Sequence, residues 1–200
     1  HNIGTDVAVL NGLMNIIIEE GLYDKEYVET RTEGFEGLKK TVSRYTPRVV
    51  EQISGIDARD LALAAREYAK TGKSMILYAM GITQHTTGTD NVKTCANLAM
   101  LTGHVGKPST GVNPLRGQNN VQGACDMGGL PVVYTAYQKV GDAPVKSRFE
   151  EAWGVGGLDE APGLTITTMM EAADRGDLKA LYVMGENPLL SDPDVKHIER

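Results

Sequence analysis

Between Thr5 and Glu20 the apolar residues Val7, Val9, Leu10, Leu13, Met14, Ile16, Ile17 and Ile18 fall mostly at helical spacing, which predicts a buried amphipathic helix. Thr5 or Asp6 stands ready to cap its start, and Gly21 to stop it. Shorter helical patterns follow around Lys25 to Arg31, Phe35 to Arg44 and Pro47 to Ile53. A cleaner one runs from Asp57, as cap, to Thr71, with Gly72 as its stop. Further helices are predicted from about Asp90 to Thr102 and from Thr167 to Arg175.

Two short apolar runs read as strands. Lys73 to Met80, framed by Gly72 and Gly81, has the length and uniform apolarity of a strand buried on both faces, and Leu178 to Met184 repeats it. Helix-then-strand units predict an α/β fold with a mainly parallel sheet. The two runs are also alike in detail, LYAMG at Leu77 to Gly81 against LYVMG at Leu181 to Gly185. Their sequels, ITQHTTGTD and ENPLLSDPD, lead through polar and turn residues toward helices, as ligand-binding loops do at the carboxyl ends of parallel strands. Val133 to Pro162, rich in Gly, Pro and charge, reads as a surface excursion with a short helix at Ser147 to Trp153, where Trp153 docks the helix by burying aromatic area.

Gly111 to Gly129, GVNPLRGQNNVQGACDMGG, fits neither pattern. It sets amides, one arginine and turn glycines where a core would want apolar residues. Arg116 offers a permanent planar cation for a carboxylate or phosphate, in a run with no acidic residue from Asn91 to Cys125. Gln118, Asn119, Asn120 and Gln122 carry donors and acceptors suited to a heterocycle edge, and Gly117 lets backbone approach a ligand closely.

Composition narrows the classes. With 200 residues, 41% hydrophobic and 23% charged, the chain can bury a core without staples, and its 23 glycines predict many turns. A net charge of −6 argues against a nucleic-acid-binding surface. Cys95 and Cys125 stand thirty residues apart in unlike contexts and read as buried free thiols, and the four histidines show no ligand spacing. No P-loop, strand-linked GxGxxG, HExxH or GxSxG occurs. The apolar runs fall far short of a membrane span, and no signal peptide opens the chain. The absence of an initiator methionine and the helix-like ending DPDVKHIER suggest a piece of a longer protein.

GITQHTTGTDNVKTCANLAMLTGHVGKPSTGVNPLRGQNNVQGACDMGGLP resembles the catalytic subunit of molybdopterin-dependent formate dehydrogenases, and weaker likeness extends over TDVAVLNGLMNIIIEEGLYDKEYVETRTEGFEGL and ALYVMGENPLLSDPD. The resemblance implies Rossmann-like αβα layers, with residues 1–118 ending one molybdopterin-binding domain and 119–200 beginning another. It implies oxidation of formate to carbon dioxide, or the reverse, at molybdenum or tungsten held by two pyranopterin guanine dinucleotides. Electrons would leave through iron–sulfur clusters to electron-transfer subunits, and the other domains of the subunit would complete the site.

By the same resemblance, Arg116 and Gln118 face formate, with Gly117 allowing their close spacing. Met80, Gly81 and Gln84 of the MGxxQ motif contact pterin, and Gly185, Glu186, Asn187 and Ser191 contact dinucleotide. The family's cysteine or selenocysteine metal ligand, its neighbouring histidine and its iron–sulfur cysteines lie upstream of these residues, so no metal ligand is assigned here and Cys125 is no substitute. The chain alone is therefore expected to be inactive. The implied compartment is the cytoplasm, with the periplasm open. The rival readings are a related molybdopterin enzyme such as a nitrate reductase, against which the RGQNN motif argues, and a noncatalytic cofactor-binding module.

Overall fold

The computed structural model describes residues 1–192 and 194–199. Pro193, inside the ENPLLSDPD sequel, and Arg200, at the end of DPDVKHIER, lie outside the described residues. The chain divides into two compact units, His1–Gly117 and a second beginning at Gln118.

The first unit is built around α1 (Asp6–Glu19), whose inward residues Met14 and Ile17 are fully buried. Around it lie α2 (Lys25–Arg31), α3 (Phe35–Val42), α4 (Pro47–Ser54) and α5 (Ala58–Lys70). Thr5 takes the cap position of α1 but turns its hydroxyl to the Asn2 carbonyl at 2.6 Å, whereas Asp57 caps α5 by accepting from the Arg59 amide at 2.8 Å. Gly12 lies where α1 meets α4 and α5: a Cβ there would come within 2.7 Å of Val50 and 3.0 Å of Leu61, so its bare Cα sets the helix spacing. Val42, Val50, Leu61, Leu98 and Leu101 complete the core.

The unit continues with β1 (Met75–Tyr78), a single turn α6 (Met80–Thr83), α7 (Gly88–Leu101) and β2 (Gly111–Pro114). β1 and β2 pair in parallel with Tyr78 opposite Pro114, and α7 packs against both. The predicted strand is thus shorter than Lys73 to Met80, and the expectation of burial on both faces is corrected. Ile76 packs on the core, but Met75 and Leu77 on the other face are 45% and 59% exposed, because only one layer of helix covers this sheet.

His104, just beyond α7, has a structural role. It is 3% exposed, with Nε2 3.0 Å from the Thr71 carbonyl at the end of α5 and Nδ1 3.0 Å from the Thr102 hydroxyl. The carbonyl can only accept, so Nε2 carries a proton. Burial, followed by a smaller contribution from Lys107, holds the imidazole pKa below its ordinary 6.5. The unfolded chain therefore binds the second proton, which makes the imidazolium, more readily than the folded one. The stabilisation is complete above the unfolded value and is lost as pH falls through the folded one. Melting temperature is expected to fall as pH drops below about 6.5, with a shallower decline in His104→Gln; parallel pH profiles for the two proteins would remove His104 as the cause.

The second unit holds α8 (Val121–Asp126), a hairpin of β3 (Val133–Tyr134) and β4 (Gln138–Lys139), α9 (Ala143–Trp153), α10 (Ile166–Asp174), α11 (Pro188–Ser191) and α12 (Val195–Ile198). The excursion after Val133 thus carries a hairpin as well as a helix. Trp153 docks by ring contact with Phe149 at 4.9 Å and Tyr134 at 6.0 Å, yet remains 52% exposed.

A second correction falls on Leu178 to Met184, which is irregular instead of a strand, with Tyr182 88% and Met184 79% exposed. An extended run becomes a strand only when another supplies hydrogen bonds, and among the described residues none pairs with it. The architecture is helix-rich α/β with a small parallel sheet. No described helix is long and apolar enough to cross a membrane.

Candidate functional site

The parallel register carries the site in the first unit. Beyond the pair Tyr78 and Pro114, the Leu115 amide donates to the Tyr78 carbonyl at 2.7 Å, extending the ladder by one residue. Adjacent strands run about 4.8 Å apart. The two chains therefore leave the sheet side by side, one as Ala79, Met80, Gly81 and the other as Leu115, Arg116, Gly117. Met80, Gly81, Gln84, Arg116 and Gly117 are all exposed, so the two motifs form adjoining loops at the carboxyl edge of one sheet. In parallel sheets this is where ligands bind.

The first loop is braced from below. The Gln84 amide donates to the Met80 carbonyl at 2.8 Å, His85 Nε2 donates to the Gly81 carbonyl at 2.8 Å, and the Asn91 side-chain amide donates to the Ile82 carbonyl at 2.8 Å. Asn91, 1% exposed on α7, thus holds the loop from the core side. Gly88, the first residue of α7, lies so close to the Thr83 carbonyl that an added Cβ would collide with backbone. Beside β1, a mostly apolar cavity of about 230 Å³ is lined by residues including Asp6, Leu77, Tyr78, Ile82 and Cys95. Burial raises the Cys95 thiol pKa, which marks it as an inert core residue; Cys125 is half-buried and also unbridged.

On β2, the Asn113 side-chain nitrogen is buried without a hydrogen-bond partner. Such an N–H2 group costs free energy until an acceptor reaches it.

The second unit contributes a separate loop. Gly185 adopts a left-handed φ of 71°, and Asn187 caps α11 through its side-chain oxygen, which accepts from the Leu189 amide at 3.2 Å. Asn187 thus has its amide hydrogens to offer a ligand. Ser191 donates to Glu186 at 2.9 Å, tying the loop across its base. Gly185, Glu186, Asn187 and Ser191 are exposed, as is Gln118 at the start of this unit. Beside the loop lies a cavity of about 390 Å³ whose polar lining is Asp174, Asn187 and His197.

Sequence reasoning missed several of these groups. Asp174 lies at the end of a helix with no motif around it, His197 follows the ENPLLSDPD sequel without ligand spacing, Asn91 carried only the signal of an amide in a helical pattern, and Asn113 lies in the amide-rich segment but was not singled out there. Among the described residues no group of three or more His, Cys, Asp or Glu side chains is placed to hold a metal ion.

A sequence model of the molybdopterin oxidoreductase family matches residues 1–200, and the chain belongs to that family. Membership implies a molybdopterin cofactor. Among its relatives, the chain is 51% identical to the F420-dependent formate dehydrogenase subunit alpha of Methanocaldococcus jannaschii, over 98% of this chain and 29% of that protein. It is 47% identical to formate dehydrogenase H of Escherichia coli K12, over 98% of this chain and 28% of that protein. The chain therefore spans less than a third of the length of these relatives. In structure it is similar to acetylene hydratase from Pelobacter acetylenicus, with a TM-score of 0.67 over 99% of this chain and 29% of that one, at 22% identity, which shows the fold alone.

Proposed function

We propose that this chain is part of a formate dehydrogenase alpha subunit, which oxidises formate to carbon dioxide or runs the reverse reaction. The observation that carries this reading is the β1–β2 register, which sets the MGxxQ loop beside Arg116. The formate dehydrogenase names of its relatives at about 50% identity supply the substrate.

The residues present fit a pterin dinucleotide. Each unit carries suitable groups by itself: in the first, Gln84 offers an amide and Asn113 a buried donor in need of an acceptor, and in the second, Asn187 and Asp174 offer an amide and a carboxylate that match pterin or guanine edges. In this reading Met80, Gly81 and Gln84 hold pterin, while Gly185, Glu186, Asn187 and Ser191 hold the dinucleotide. The two units, which divide one residue earlier, after Gly117, then correspond to parts of two Rossmann-like molybdopterin-binding domains, 1–118 and 119–200. The cofactor would be a molybdenum or tungsten bis(pyranopterin guanine dinucleotide), which supplies the two-electron oxidation when bound. Iron–sulfur clusters and electron-transfer subunits lie beyond this chain.

Arg116 binds the formate carboxylate through its planar fork, with Gln118 as a further polar contact. Formate is an anion and carbon dioxide is not, so the ion pair distinguishes the two in binding. Arg116 holds the substrate and loses its electrostatic grip on the product.

The holoenzyme that contains this chain is expected to reduce a viologen dye with formate and to leave reduced dye unoxidised by nitrate. Nitrate turnover without formate turnover would replace this reading with a nitrate reductase. The 200-residue chain by itself is expected to retain no molybdenum by elemental analysis.

A further inference from the structure

The second unit contains a strained turn with no assigned role. Ala136 and Tyr137 have φ values of 58° and 57°, the left-handed conformation that Asn-Gly or Gly-Gly normally supplies in a tight hairpin. Each non-glycine residue there costs about 1–2 kcal/mol. The turn Thr135–Tyr137 packs against α8 and grips it near both ends. The Thr135 hydroxyl donates to the Met127 carbonyl at 3.3 Å, just past the end of α8, and Tyr137 Oη accepts from Gln122 Nε2 at 2.9 Å in its first turn. The same Gln122 nitrogen donates to Asp126 at 2.9 Å, so both its hydrogens are committed.

Close packing reinforces the grip. A Cβ on Gly128 would lie 3.1 Å from the Thr135 amide nitrogen. Asn120, which caps α8 by accepting from the Gly123 amide at 3.2 Å, is itself left-handed at φ 52°. Three left-handed non-glycine residues thus gather around one six-residue helix, and Gln118 and Asn119 immediately precede it. Backbone strain of this kind persists only where the surroundings hold it in place.

We propose that the turn Thr135–Tyr137 is a clamp on α8, and that Tyr137 is a positioning residue that fixes the direction in which Gln118 is presented to the substrate. The inference rests on the formate reading for the identity of that substrate and on the turn geometry for the clamp. Tyr137 acts through Gln122. Its own O–H remains a donor after accepting the Gln122 hydrogen, so the phenol adds a tether without placing a charge at the site.

The test is Tyr137→Phe in the holoenzyme that contains this chain. Loss of one net hydrogen bond is expected to raise the formate KM about fivefold with kcat within about twofold. Backbone amides from Ala124 to Met127, whose hydrogen bonds form α8, are expected to exchange about fivefold faster in the variant, with molybdenum and pterin content unchanged. Gln122→Met should reproduce the shift, and the double variant should add nothing further. Unchanged amide exchange overturns the clamp, and faster exchange with an unchanged KM overturns the positioning role. If the wild-type holoenzyme turns over a different small anion and Tyr137→Phe raises the KM for that anion, the clamp stands and the formate reading falls.

Discussion

Replacing Arg116 with alanine is expected to lower kcat/KM for formate by about a hundredfold or more in the holoenzyme. A charge-assisted hydrogen bond contributes about 1.5–3 kcal/mol, and a bidentate pair loses two together with the orientation they impose. If the contact is equally strong in ground and transition states, the whole loss is seen in KM; if it orients the C–H bond for reaction, kcat falls as well. Arg116→Lys separates charge from geometry, because lysine keeps the cation but not the planar fork. It is expected to recover part of the binding and little of the orientation. Steady-state kinetics of Arg116→Ala indistinguishable from wild type would remove Arg116 from the site, however well its neighbours fit.

The second large effect is expected at a residue that touches no ligand. Gly88→Ala places a methyl group against the Thr83 carbonyl, and backbone cannot rotate away as a side-chain tip can. Either α7 or the α6 turn must move. Overpacking of this kind costs about 1–3 kcal/mol, which for a protein this size lowers the melting temperature by roughly 2–12 °C. The movement would also pull Ile82 from Asn91 and misplace Gln84, so cofactor content of the holoenzyme is expected to fall together with stability. A stable variant with full pterin and molybdenum content would show that the loop does not need this close approach.

The two predictions differ in how far the sequence anticipated them. Arg116 was legible because an arginine among amides and glycines has no place in a core. Gly88 was not, since one glycine near a predicted helix start looks like any other until Thr83 is seen against it. The same holds for the strands. Lys73 to Met80 announced β1 by its apolar run, whereas GVNP at β2 sets one valine among Gly, Asn and Pro, all depleted in sheets, and reads as loop. Leu178 to Met184 shows the opposite error, a strong strand pattern that forms no strand because none of the described residues pairs with it.

The short α6 and α8 read as loop, whereas the longer helices were legible from the chain alone, because 3.6-residue periodicity, a cap such as Asp57 and breakers such as Gly21 act over a few residues. So were the chemical types available to a ligand: an arginine, a set of amides and glycines that admit close approach. Only the tertiary structure decided which of them meet. The β1–β2 register brings Met80 and Arg116 from distant points in sequence to one sheet edge, and α7 braces the loop from behind through Asn91. Strand pairing and close backbone contact depend on partners far along the chain, and local pattern carries no information about which partner arrives.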